Sequence, residues 1–226
     1  MRNFAIVEMI LRERGFFFAA VRDCDELWSK IKAMIISSAT FFAIYGAVMG
    51  ASHGLDQAAS SMIKLPLLFL VTLIICSPSL YFFNLLFGSK QRLSQIIALI
   101  LTAITVTAVL LLGLAPITFF FLITTSQYQF FKLLNVVFFA IASGLGVVFL
   151  QQGMKAISDP AKEEGVRARR IFFLLWVVLY SFVGTQMAWT LSPFMGDPKL
   201  PFMLLTQQGG NFYTDILNSI RQLLGQ

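Results

Sequence analysis

Five apolar runs, near 33–52, 65–87, 95–124, 133–151 and 171–192, constrain this chain more than any other feature. About 20 apolar residues carry a helix across a hydrocarbon core of about 30 Å, and each run is close to that length or beyond it. A backbone in lipid must satisfy its own hydrogen bonds, and a helix does so within one segment. The pattern therefore predicts an all-α, polytopic membrane helix bundle with five transmembrane helices. Composition agrees, because 58% of the 226 residues are hydrophobic and only 12% are charged, about half the charge of a soluble domain.

The gaps between the runs set the orientation. Thirteen of the 17 basic residues fall on one side: Arg2, Arg12, Arg14, Arg22, Lys30 and Lys32 before the first run, Lys90 and Arg92 after the second, and Lys155, Lys162, Arg167, Arg169 and Arg170 after the fourth. Lys64, Lys132, Lys199 and Arg221 fall on the other. Basic loops stay cytoplasmic, so the N-terminus is expected inside and, with five spans, the C-terminus outside. A net charge of +6 spread over short gaps is not the clustered basic face of a nucleic-acid binder. Cys24 and Cys76 lie at different depths, so no disulfide is expected. Charges at Glu8, Arg12, Glu13 and Arg14 break the N-terminal apolar run, and a cleaved signal peptide is not expected.

The chemistry that the chain can carry is limited by its inventory. The five runs contain no Asp, Glu, Lys, Arg or His in their interiors, the residues that proton relays and ion-coupled carriers use. The single histidine, His53, sits at the outer end of the first run with Asp56 three residues on, and reads as a solvated interfacial residue. No H-E-x-x-H, paired intramembrane aspartates, Ser/His set or phosphate-binding glycine loop is present. The expectation is a non-enzymatic protein with no catalytic residue, no metal site and no cofactor, although a bound lipid fits the composition.

Small and polar residues in the runs point to helix contacts. Gly46 and Gly50 form a G-x-x-x-G in the first run, and Gly144 and Gly146 stand in S-G-L-G-V-V in the fourth; both patterns suit close packing of helices. Asn84 and Gln186 are the costliest polar side chains to leave unpaired in a span, and are expected at helix contacts. The remaining Ser, Thr and Asn residues, among them Ser37, Ser38, Thr40, Ser77, Ser79, Thr102, Thr105, Thr107, Asn135, Ser143, Thr185 and Thr190, either line a polar path or bond between and along helices.

Both ends read as surface helices. Phe4, Val7, Ile10 and Leu11 fall on one face of an N-terminal helix that either rests on lipid or packs against the protein's own inner loops. Asp23, Asp25 and Glu26 offer N-cap anions to the helix that follows. At the other end, Pro193, Pro198 and Pro201 hold an extended path, Gly209 and Gly210 form a hinge, and Asn211 is placed to cap a helix. In that helix Phe212, Tyr213, Ile216, Leu217, Ile220, Leu223 and Leu224 share one face. Three parts result: a cytoplasmic amphipathic segment over 1–32, a five-helix transmembrane domain over 33–192, and an extracytoplasmic tail with its amphipathic helix over 193–226.

W-T-L-S-P-F at 189–194, P-F at 201–202 and G-G-N-F-Y at 209–213 resemble a signature of uncharacterised bacterial multi-helix membrane proteins. The order of elements also resembles the five-span Yip-type membrane proteins, without their D-L-Y-G-P motif. The first resemblance implies a bacterial inner membrane and no particular activity. With few catalytic options, the leading expectation is a subunit that scaffolds, anchors or helps assemble a larger membrane complex, with the bilayer and other subunits or further copies of itself as partners. Trp189, Phe194, Phe202, Asn211, Phe212 and Tyr213 are the expected contact residues. The alternative is a transport or channel component for a neutral or lipidic solute.

Overall fold

The computed structural model describes residues 4–86, 91–125, 127–157, 166–196, 201–205 and 210–224. Among them every regular element is a helix: α1 Ala5–Arg12, α2 Arg14–Arg22, α3 Leu27–Gly50, α4 Leu55–Leu86, α5 Leu93–Thr124, α6 Tyr128–Ile157, α7 Val166–Thr190 and α8 Phe212–Leu223. Helices α3 to α7 are long and apolar enough to cross a membrane. Pro193 and Pro201 lie in irregular backbone between α7 and α8 that bends at 194–195 and at 204–205, while Pro198 and Gly209 fall outside the described residues.

Helix α5 is the core of the bundle. Its most apolar window is 67% buried inside the protein, against 6% for α7, which is left at the edge. Helix α3 packs along α4 and α5, α6 packs along the other side of α5, and α7 rests on α4. Glycine lets the first of these contacts close. A methyl group at Gly46 or Gly50 would collide with the α4 backbone at Ser61 or Gln57. Across α5 and α6 the close approach belongs to Gly146, whose missing methyl makes room for Thr107 Oγ1 and the Ala103 carbonyl. Gly144 faces open space instead, so the expected packing role at 144 falls two residues further along. Polar side chains join the same three helices: Tyr45 donates to Asn135 Oδ1 at 2.7 Å, and Thr118 donates to the Tyr45 hydroxyl at 3.2 Å.

Helix α4 departs most from the sequence expectation. It begins at Leu55, ten residues ahead of the apolar run, and runs 32 residues through Pro66 and Pro78, about 48 Å at 1.5 Å per residue. Lys64 thus lies inside a span, 6% exposed, and the expected absence of ionisable groups from the spans does not hold. A window scored on hydrophobicity starts after a lysine; the helix starts before it because its backbone needs no apolar side chain to continue. At Pro78 the ring loosens the helix ladder, and Trp176 of α7 donates its indole N–H to the Cys76 carbonyl and Ser79 Oγ at 3.2 and 3.1 Å. Helix α5 likewise continues through Pro116, to Thr124, where the apolar run ends.

The two chain ends pack at opposite ends of the bundle. Ile6, Ile10, Phe17 and Val21 of α1 and α2 are fully buried. Gln95 near the start of α5 donates to the carbonyls of Val21 and Arg22. This N-terminal segment therefore packs against the protein itself, on α3, α5 and α6, while Phe4, Leu11 and Phe16 remain exposed. The acidic turn before α3 does not cap it. Glu26 takes a left-handed conformation at φ 43° without a side-chain cap bond, and Asp25 pairs with the buried Lys30 at 3.6 Å. At the far end α8 lies across α6 and α7.

Candidate functional site

Helices α6 and α7 stand apart because each is committed to a different neighbour, α6 to α5 and α7 to α4. Between them lies a cleft of about 690 Å³. Its floor is the groove of α4 and α5, with Leu68, Thr72, Ala103 and Thr107, and its side walls are the facing surfaces of α6 and α7. Those surfaces are lined with small residues: Ala140, Ser143 and Gly144 on α6, Ser181, Gly184 and Ala188 on α7. A side chain at Gly144 would meet nothing within 4 Å, and one at Gly184 would only touch Thr72 at 3.9 Å. Small residues that bring helices together at Gly46 and Gly50 here leave width between them. From Lys132 to Leu150, both on the α6 wall, the cleft spans about 27 Å along the helix, close to the thickness of the hydrocarbon core.

The tail closes the end nearest the start of α6. Pro193, Phe194, Met195 and Gly196, then Pro201 to Met203, then Phe212, Asp215 and Ile216 of α8 form this roof. Irregular, proline-containing backbone leaves its carbonyls without partners in its own segment, and burying them unpaired is costly. Helix α4 supplies the donors from one face, at positions 57, 61 and 64. Gln57 Nε2 donates to the Pro193 carbonyl at 2.7 Å, Ser61 Oγ to Phe194 at 2.5 Å, and Lys64 Nζ to Pro193 at 3.1 Å and to Leu204. Tyr128 of α6 donates to the Met195 carbonyl at 3.0 Å. Gly196 leaves room for the ring of His53, which a methyl group would strike.

Helix α8 is seated by polar contacts at both walls. Asn211 caps it, accepting from the backbone N–H groups of Tyr213 and Thr214 at 3.0 Å each. Asp215 pairs with Lys132 of α6 at 2.5 Å, both side chains largely buried. Gln129 donates to Gln222 at 2.6 Å, and the hydroxyls of Thr185 and Tyr213 meet at 3.1 Å. Lys132 and Asp215 are the one ammonium and the one carboxylate among the described wall residues, and they face each other.

The chain matches no protein-family model, no curated protein and no solved structure. The cleft is therefore read from its own geometry. Of the six residues expected to form a contact surface, Trp189, Phe194, Phe202 and Phe212 line the cleft, Asn211 is the α8 cap, and Tyr213 reaches back to Thr185 on α7. Of the polar series, Thr107, Asn135, Ser143 and Thr185 line the cleft; Thr107, Asn135 and Thr185 also bond to carbonyls of their own helices, as Ser38, Thr40, Thr102 and Thr105 do. Asn84 does the same, donating to Leu80 at 2.9 Å, and Gln186 sits half-buried on α7. Sequence reasoning missed Gln57, Ser61, Lys64 and Lys132. The signal was available for three of them, since Q-x-x-x-S-x-x-K places all three side chains on one face of a helix.

A second hollow, about 780 Å³, lies at the opposite end beside Cys24, Trp28 and Arg92, where the turn before α3 meets the start of α5. Its lining comes only from that turn and the two helix starts, so it is a feature of the surface and holds no comparable set of opposed walls.

Proposed function

We propose that this multi-pass membrane protein takes up a lipidic, amphipathic solute in the cleft between α6 and α7, to carry or present it, without covalent chemistry. The observation that supports the reading is the cleft itself: long, walled mostly by apolar and small side chains with scattered hydroxyls, and charged only at the end that the tail closes, among the described residues. Ligand sites are commonly apolar hollows with a few placed polar groups. On this reading the aromatic residues of the tail serve the cleft, which weakens their claim as a docking face for another subunit. The basic residues around α1, α2 and the segment after α6 support a cytoplasmic N-terminal end, and the cleft then closes on the far side of a bacterial inner membrane. The test is extraction in mild detergent followed by mass measurement of the intact protein. Wild type should retain lipid-sized adducts. The pair Gly144→Phe with Gly184→Phe, which fills the cleft, should lose them. Equal adducts on both proteins would overturn the reading.

A scaffolding role has one observation in its favour. Leu217 on α8 and Leu224 just after it are 56% and 70% exposed and are not among the cleft-lining residues. Cross-linking through a cysteine placed at Leu217 tests it: capture of a second protein or a second copy in intact membranes supports a contact face there, and capture of lipid alone does not.

A further inference from the structure

We infer that the occupant of the cleft is a phospholipid, with an acyl chain between α6 and α7 and its phosphate at Lys132; the inference rests on the reading of the cleft as a lipid site. The apolar body asks for hydrocarbon, and any chain-bearing molecule would satisfy it. The end that the tail closes is more selective. Lys132 is 17% exposed on the cleft wall and Asp215 occupies one direction around its ammonium. An ammonium has three donors, so the pairing leaves capacity for an anionic oxygen. Lys132 is the one ammonium among the described wall residues, and basic pockets between membrane helices bind phospholipid head groups. A diacylglycerol, a fatty alcohol or a sterol brings no anionic oxygen to its remaining donors.

Two further features sit at the same level. Tyr128 and Trp189 line this end, and such aromatic side chains favour the depth of lipid head groups. Gln57 is fully buried there. The Pro193 carbonyl fixes its amide N–H₂, leaving Oε1 with no partner among the described residues. A buried acceptor without a donor calls for one, and glycerol and ethanolamine head groups carry such donors.

The experiment uses the full chain with Trp28→Phe and Trp189→Phe, so that the remaining indole is Trp176, 1% exposed and on the cleft wall. In neutral maltoside micelles it is titrated with phosphatidylglycerol brominated on its acyl chains, and separately with a brominated diacylglycerol. Bromine quenches an indole that it touches. The phospholipid should quench Trp176 to saturation at a roughly tenfold lower mole fraction than the diacylglycerol, the ratio that one charge-assisted hydrogen bond supplies. Lys132→Gln should erase that preference while quenching by both lipids persists, and Lys132→Arg should retain it. Lys132 also seats α8, so Asp215→Asn serves as the second variant: it frees the ammonium from its partner, and the preference should rise. Equal quenching by both lipids in the parent protein, or a fall in preference in Asp215→Asn, would overturn the phosphate assignment and leave the cleft reading intact. Absence of saturable quenching by either lipid would remove the cleft reading as well. Soluble glycerol phosphate should not relieve the quenching; relief would assign the site to a free phosphate compound and overturn the inference.

Discussion

A lysine 6% exposed inside a membrane helix is tolerable only where acceptors surround its ammonium, and Lys64 has them in the carbonyls of Pro193 and Leu204. The bond serves both partners, because those carbonyls belong to irregular backbone outside any helix. Lys64→Met should therefore lower stability by about 1–3 kcal/mol, the penalty of buried acceptors left unpaired, read as a fall in unfolding temperature in detergent. Proteolysis should also reach the stretch after α7 sooner. Glycines offer a paired comparison. Gly146→Ala drives a methyl group into Thr107 and the Ala103 carbonyl and should cost about 1–3 kcal/mol. Gly144→Ala adds the same methyl group to open space and should stay within about 0.5 kcal/mol of wild type. Equal losses in the two variants would mean that the space beside Gly144 does not exist in solution. The sequence shows two glycines two residues apart in a helix, which point to faces roughly opposite; which of them meets α5 depends on how α6 is rotated, and that is a property of the assembled bundle.

At the scale of elements, the spans were legible because apolar length is a local property, and five runs gave five crossing helices. Their limits were less so. Helix α4 extends upstream over Asp56, Gln57 and Lys64, polar residues that lie ahead of the apolar run; the returning tail supplies carbonyls to Gln57 and Lys64. Helix α8 was legible in its limits and its Asn211 cap, which are local, but not in the side that it buries: Phe212 and Ile216 line the cleft while Leu217, Ile220 and Leu223 of the same expected face are exposed. Asn211→Ala should cost about 1 kcal/mol of helix stability. The expected readout is reduced protection of α8 amides in hydrogen exchange, with α5 unchanged. Unaltered exchange in α8 would show that its seat on Lys132 and Thr185 holds it without the cap. The cleft was the least legible element, because it is made by what α6 and α7 do not share. Each pairs with a different helix, and no residue within either one records that choice.

For the whole molecule, the odd number of spans places α1 and α2 at one end of the bundle and α8 at the other. Cysteines introduced at Arg12 and at Leu224, both exposed, in a chain with Cys24 and Cys76 replaced by Ser and Ala, should react with an impermeant maleimide from opposite faces of sealed vesicles. Reaction of both from one face would refute a five-span topology. The long side of the cleft is bounded by two helices that each pack on a different neighbour. If the cleft takes up lipid as proposed, its solute enters from the bilayer between those helices and does not cross water. Its occupancy is then governed by a ratio, the solute's mole fraction among competing lipids in the adjoining leaflet, and diluting the protein in buffer leaves that ratio unchanged. Saturation would track membrane composition rather than aqueous concentration, and a cell could load or empty the cleft by remodelling its lipids while the number of protein molecules stays the same.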